Sequence, residues 1–133
     1  MALNPPRRKV LIIEDEPSIR NVLYVLLAGL GCDGDVAHDT DQALSMIRKD
    51  QFDAVLLDLR SAQLPQMVST ITELRPSLVG RVLVITGEVS NPSTLEMLER
   101  YALPHVPRSR ITSDLSRGIA QMDGLTSFIF TPR

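Results

Sequence analysis

Three carboxylates, Glu14, Asp15 and Glu16, follow directly on the apolar run Val10 to Ile13, and Asp58 closes a second apolar run, "AVLLD". Thr86 ends a third such run, "VLVIT", and Arg108 follows a weaker one around His105 and Val106. Carboxylates gathered by buried strands repel one another, by roughly 4 kcal/mol per close pair at an effective dielectric of about 20. A hard divalent cation offsets that repulsion. Mg²⁺ suits the task, since it takes oxygen ligands octahedrally, keeps several waters and leaves room for a phosphate oxygen. Asp58 stands alone at its strand end rather than in an acidic run, which makes it the candidate nucleophile for an aspartyl phosphate. Phosphoryl transfer to a carboxylate depends on positioning and charge neutralisation, for which Thr86 offers a hydroxyl and Arg108 a cation.

The elements that must position these groups alternate in type. Val10 to Ile13 form a continuous apolar run, as expected of a central parallel strand buried on both faces. Pro17 suits the first turn of a helix, and Ile19, Val22, Leu23, Leu26, Leu27 and Leu30 then recur on one helical stripe, ended by Gly29 and Gly31. A short strand at Val36 and Ala37 precedes a helix started by Asp39, with Gln42 three residues on as a variant of the capping box. After the strand ending in Asp58, Met67, Ile71 and Leu74 place a third helix over 66–75, closed by Pro76. "NPSTLEMLERY" begins a fourth helix, and Ile111, Leu115, Ile119 and Met122 mark a fifth. Strands alternating with helices need right-handed crossovers, so the predicted fold is α/β, a doubly wound (βα)5 five-stranded parallel sheet with helices on both faces. In such sheets ligands bind beyond the carboxyl ends of the strands, where Glu14, Asp15, Asp58 and Thr86 all fall.

At 133 residues the chain has room for one domain. The composition, 44% hydrophobic and 23% charged, is that of an ordinary soluble domain, and a net charge of -2 gives no sign of a nucleic-acid surface. Cys32 is the only cysteine, which excludes an internal disulfide or a thiolate zinc cage and suits a reducing compartment. No apolar stretch approaches bilayer length and no secretory leader is visible, so the expected location is cytoplasmic, with no membrane partner. The domain is expected over 9–122, after a flexible lead over 1–8 and before a tail over 123–133 whose Phe128, Ile129 and Phe130 form an apolar patch.

Each landmark also has a plainer reading. Glu14 and Asp15 suit the start of any helix, Asp58 suits a strand-end turn, Thr86 is an ordinary strand former, and "RSR" around Arg108 could be a solvated loop. His38 has no second metal-ligand candidate at useful spacing and reads as a loop residue; Cys32 reads as an inert thiol. Convergence of four groups at one rim is what favours a site.

Together, "LIIEDEPSIRNVL", "DAVLLDL" and "VLVITG", in this order, resemble the acidic pair, phosphoacceptor strand and switch-threonine strand of response regulator receiver domains in two-component signalling. The resemblance extends from Lys9 to about Met122 and implies a flavodoxin-like, CheY-like fold. It implies that Asp58 accepts a phosphoryl group from a phosphohistidine donor, with Asp15 and Asp58 binding Mg²⁺ directly, Glu14 acting through a metal-bound water and the Arg60 carbonyl completing the ligands. Thr86 and Arg108 would contact the phosphoryl group, and His105 occupies the place of a rotating aromatic switch. Arg60 and Glu88 lie where receivers tune hydrolysis. Implied partners are a sensor histidine kinase or phosphotransfer protein and a downstream protein docking on the fourth helix, fifth strand and fifth helix. A homodimer is compatible with this reading, direct nucleic-acid contact is not expected, and the only chemistry catalysed is the domain's own phosphorylation and dephosphorylation. Two features depart from the family. Arg108 and Ser109 stand where a Lys-Pro pair is usual, and Ser61 and Ala62 replace Met-Pro after Asp58, with Pro65 displaced and no glycine in the loop. The rival readings are a degenerate receiver acting as a non-phosphorylated interaction module and an aspartyl-phosphate phosphatase, although Arg60 stands where a common phosphatase would want an acid.

Overall fold

The computed structural model describes residues 8–14, 16–58, 63–87 and 92–120. In chain order the elements are β1 (Arg8–Glu14), α1 (Pro17–Gly29), β2 (Cys32–Ala37), α2 (Thr40–Lys49), β3 (Ala54–Asp58), α3 (Leu64–Leu74), β4 (Val82–Thr86), α4 (Pro92–Arg100), β5 (His105–Pro107) and α5 (Ile111–Ala120). Short 3₁₀ segments at Pro76–Arg81 and Arg108–Arg110 lead into β4 and α5. The five strands form one sheet in the order β2-β1-β3-β4-β5, every neighbouring pair parallel. This is the doubly wound α/β arrangement expected from the alternation.

The unbroken apolar runs of β1, β3 and β4 are explained by burial on both sheet faces. Leu11, Ile13, Val55, Leu57, Val82 and Val84 join Ala43 and Ile47 of α2, Val68 and Ile71 of α3 and Met97 of α4. The alternate residues Val10, Ile12, Ala54, Leu56, Leu83 and Ile85 meet Leu23 and Leu27 of α1 and Ile111, Leu115 and Ile119 of α5. Each strand therefore feeds two cores with a period of two. Fully burying one such leucine or isoleucine contributes about 1.5–3 kcal/mol.

Local signals set the helix ends. Asp39 Oδ1 accepts from the Gln42 N–H at 2.8 Å, and Gln42 Oε1 in return accepts from the His38 N–H at 2.7 Å. The reciprocal bond thus falls one residue before the cap itself. Gly31 follows α1 with φ +80, a left-handed conformation that glycine adopts without strain. Within α5, Gly118 lies so close to the sheet that an added Cβ would stand 2.8 Å from Val106 Cγ2 and 3.0 Å from Leu83 Cδ1.

Three expectations need adjustment. β2 is longer than the Val36–Ala37 pair because it is an edge strand, buried fully only at Cys32 and Ala37. α3 begins at Leu64, where Pro65 fits the first turn. In α1 only Leu23 and Leu27 are fully buried, while Val22 is 39% exposed, because a helix over a narrow sheet edge buries only the middle of its apolar stripe.

Candidate functional site

Strand order reverses around β1. β2 lies on one side and β3 on the other, so the chain's crossovers diverge above the carboxyl ends of β1 and β3, where parallel sheets place ligands. Glu14 and Asp58 are register partners at that point. Both are buried, as is Thr86 at the end of β4. They are the only polar or charged side chains among the described residues that are buried to this degree.

Arg108 reaches this spot from the 3₁₀ turn after β5 and forks onto Asp58. Its Nε donates to Oδ2 at 3.0 Å and its Nη2 donates to Oδ1. Both carboxylate oxygens are engaged by one planar group, the strong geometry available to arginine. The Asp58 contact raises the Arg108 pKa above its usual value, against the opposing effect of burial.

Glu14 is held differently. Its Oε1 accepts from the Glu16 N–H at 3.0 Å, whereas Oε2 is buried without a hydrogen-bond partner. Burial, with the neighbouring Asp58 carboxylate adding to it, raises the Glu14 pKa from 4.5 to about 9, while the Glu16 N–H and Arg108 pull it down. A proton on Glu14 and the guanidinium on Asp58 thus balance the charge of the pocket.

Thr86 Oγ1 donates to the Val106 carbonyl over a long 3.5 Å, tying the end of β4 to β5. His105 is exposed on β5, its Nδ1 3.4 Å from the Leu103 carbonyl oxygen. It therefore lies at the surface and not in the acidic pocket. Asp15, Arg60 and Glu88 lie outside the described residues. Among the described residues no three His, Cys, Asp or Glu side chains are gathered as a metal-holding group. The chemistry of Glu14 and Asp58 nevertheless fits a divalent cation: two buried carboxylates in register, one with an orphaned oxygen, need positive charge if both are to ionise.

Such a sheet, with acids at its topological switch point, defines a class of α/β proteins that act at the strand ends. Residues 10–115 match the response regulator receiver domain family, and the chain belongs to that family. It is 42% identical over 102 residues to the DNA-binding response regulator MtrA of Mycolicibacterium smegmatis, an alignment covering 75% of this chain and 43% of that protein. It is 31% identical over 99 residues to the transcriptional regulatory protein ZraR of Escherichia coli, covering 73% of this chain and 22% of that one. The chain thus spans less than half the length of these curated relatives. Among solved structures, a response regulator from Burkholderia pseudomallei with a phosphorylated aspartic acid, calcium ion and citrate superposes with TM-score 0.72 at 20% identity, over 90% of this chain and 69% of that one. That likeness establishes the receiver fold.

One expectation is corrected by these relatives. Direct nucleic-acid contact was not expected, yet MtrA is a DNA-binding regulator and ZraR a transcriptional one. The expectation rested on a net charge of -2, which describes the electrostatics of these 133 residues. It carries no weight against contacts made elsewhere in regulators that extend well beyond the matched region. No described helix is long and apolar enough to cross a membrane.

Proposed function

We propose that this chain is a phosphoryl-accepting receiver, with the domain over 9–122 and Asp58 as the acceptor. The observation that carries this reading is the pairing of Glu14 with Asp58 in register at the switch point, with Thr86 and Arg108 converging on the same rim. The donor is a phosphohistidine on a sensor kinase or phosphotransfer protein, in a cytoplasmic setting. An Asp58 oxygen forms the P–O bond as the P–N bond to the donor imidazole breaks, and the imidazole leaves with the electron pair. Asp15, Asp58 and the Arg60 carbonyl, with Glu14 acting through water, would hold Mg²⁺, which would supply positive charge for the phosphoryl oxygens. Thr86 turns its hydroxyl from the Val106 carbonyl toward the phosphoryl group, and Arg108 moves its fork from Asp58 to the phosphoryl oxygens. Arg60 and Glu88 tune the lifetime of the product, and His105 reports the Thr86 movement at the surface formed by α4, β5 and α5. The consequence is a population shift between two conformations with different partner affinity. The names of the relatives favour transcription as the process regulated.

Intact-mass measurement after incubation with Mg²⁺ and an acyl phosphate tests the assignment. The expected result is one added phosphoryl group, lost in Asp58→Asn. A parent protein that stays unmodified under these conditions would favour the non-phosphorylated interaction module instead.

A further inference from the structure

The Asp58 carboxylate is buried and each of its oxygens accepts from Arg108, so a cation arriving at either oxygen meets a positive charge already in place. The Arg108 side chain is 40% exposed while Asp58 is 1% exposed, so the cation of the pair has solvent beside it and the carboxylate does not. A lysine at this position would place one compact point charge against one oxygen and leave the other for a cation; the arginine fork covers both. Next to this closed pair, Glu14 Oε2 is buried and unpartnered, so the pocket still lacks one positive charge if both acids are to ionise.

We propose that Arg108 is a resident competitor for the divalent cation at Asp58, and that its two-point hold raises the cation concentration at which the acceptor becomes available. This rests on the receiver reading, since it presumes a cation that binds Asp58. Arg108 is in this role a positioning residue: it sets which partner the acceptor carboxylate faces before any phosphodonor arrives. The receiver then responds to cation supply as well as to its donor.

Mg²⁺ titration of the full chain by calorimetry, without any phosphodonor, reads the competition directly. Arg108→Lys keeps the charge and removes the fork, so it is expected to bind Mg²⁺ at least about tenfold more tightly than the parent, as loss of one charge-assisted hydrogen bond predicts. Arg108→Gln, which also removes the charge, is expected to bind more tightly still. On the unmodified protein, the Arg108 Nε–H resonance is expected to be slowly exchanging without Mg²⁺ and to move toward the position of a free guanidinium during the titration. Equal Mg²⁺ affinity in the parent and Arg108→Lys, or an Nε–H resonance indifferent to Mg²⁺, overturns the competitor and leaves the receiver reading standing. Absence of Mg²⁺ uptake in every variant overturns both.

Discussion

The two ends of the sheet use the same residue types to opposite effect. At the amino-terminal rim, Lys9 Nζ lies 3.7 Å from Asp35 and 3.9 Å from Asp50, and also 5.1 Å above the Phe52 ring. Arg8 Nη1 lies 3.6 Å from Asp53. These side chains are 30–53% exposed, their ion-pair distances are 3.6–3.9 Å, and water and salt screen them. The rim also borders a cleft of about 530 Å³ lined by Lys9, Tyr24, Asp33 and Asp35 among others. At the carboxyl-terminal rim, Glu14 and Asp58 are each 1% exposed and Arg108 answers Asp58 by a two-point contact. Charge at one end is a solvated fringe, whereas at the other it is confined. Cleft size does not mark the site; the cost of confining charge does.

The sharpest way to break this comparison is to remove one cation from each end. Arg108→Ala strands a buried carboxylate and is expected to lower metal-free stability by about 3 kcal/mol in urea denaturation, the low end for a broken buried pair because water can reach a partly exposed site. Adding Asp58→Asn should restore most of the loss. A loss below about 1 kcal/mol would make the two rims equivalent.

A pH series sharpens the same point through Glu14. Its folded pKa is raised from 4.5 to about 9, so the native state holds a proton that the unfolded chain has released. Its stabilising contribution is complete below 4.5 and is lost as pH rises toward about 9. The parent should lose metal-free stability across this window by up to about 1.4 kcal/mol per pH unit more than Glu14→Gln, the limit for one proton. Parallel stability profiles for the two proteins would contradict the assignment.

Cation binding should reverse that protonation. At pH 7, Mg²⁺ uptake is expected to release about one proton from Glu14, measured by calorimetry in buffers of different ionisation enthalpy, and almost none in Glu14→Gln. The smallest effect belongs to the other rim. Lys9→Ala should cost below about 1 kcal/mol, and less at high salt.

How far the sequence reveals this molecule depends on the strength of the local signal. β1, β3 and β4 were legible because two-sided burial leaves an unbroken apolar run, and Asp39 with Gln42 marked the start of α2 through a cap that the hydrogen bonds reproduce. β2 was mostly hidden, since "CDGD" in an edge strand lacks apolar alternation, and the 3₁₀ segment Pro76–Arg81 gave no periodic signal at all. At the site, strand ends announced Glu14, Asp58 and Thr86 by position. What spacing could not convey was the direction of the Arg108 side chain, or that Glu14 would be left with an unpartnered oxygen, because both depend on neighbours brought together by crossovers rather than by the local chain.

Gly118 carries a mechanical implication. With no side chain of its own, it seats α5 against Val106 and Leu83 with no slack between helix and strand. Val106 is the residue whose carbonyl receives the Thr86 hydroxyl, and Arg108 follows two positions on. Under the proposed function, a displacement of β5 would be handed to α5 as to a gear in mesh, carrying events at the acidic pocket to the outer surface of that helix.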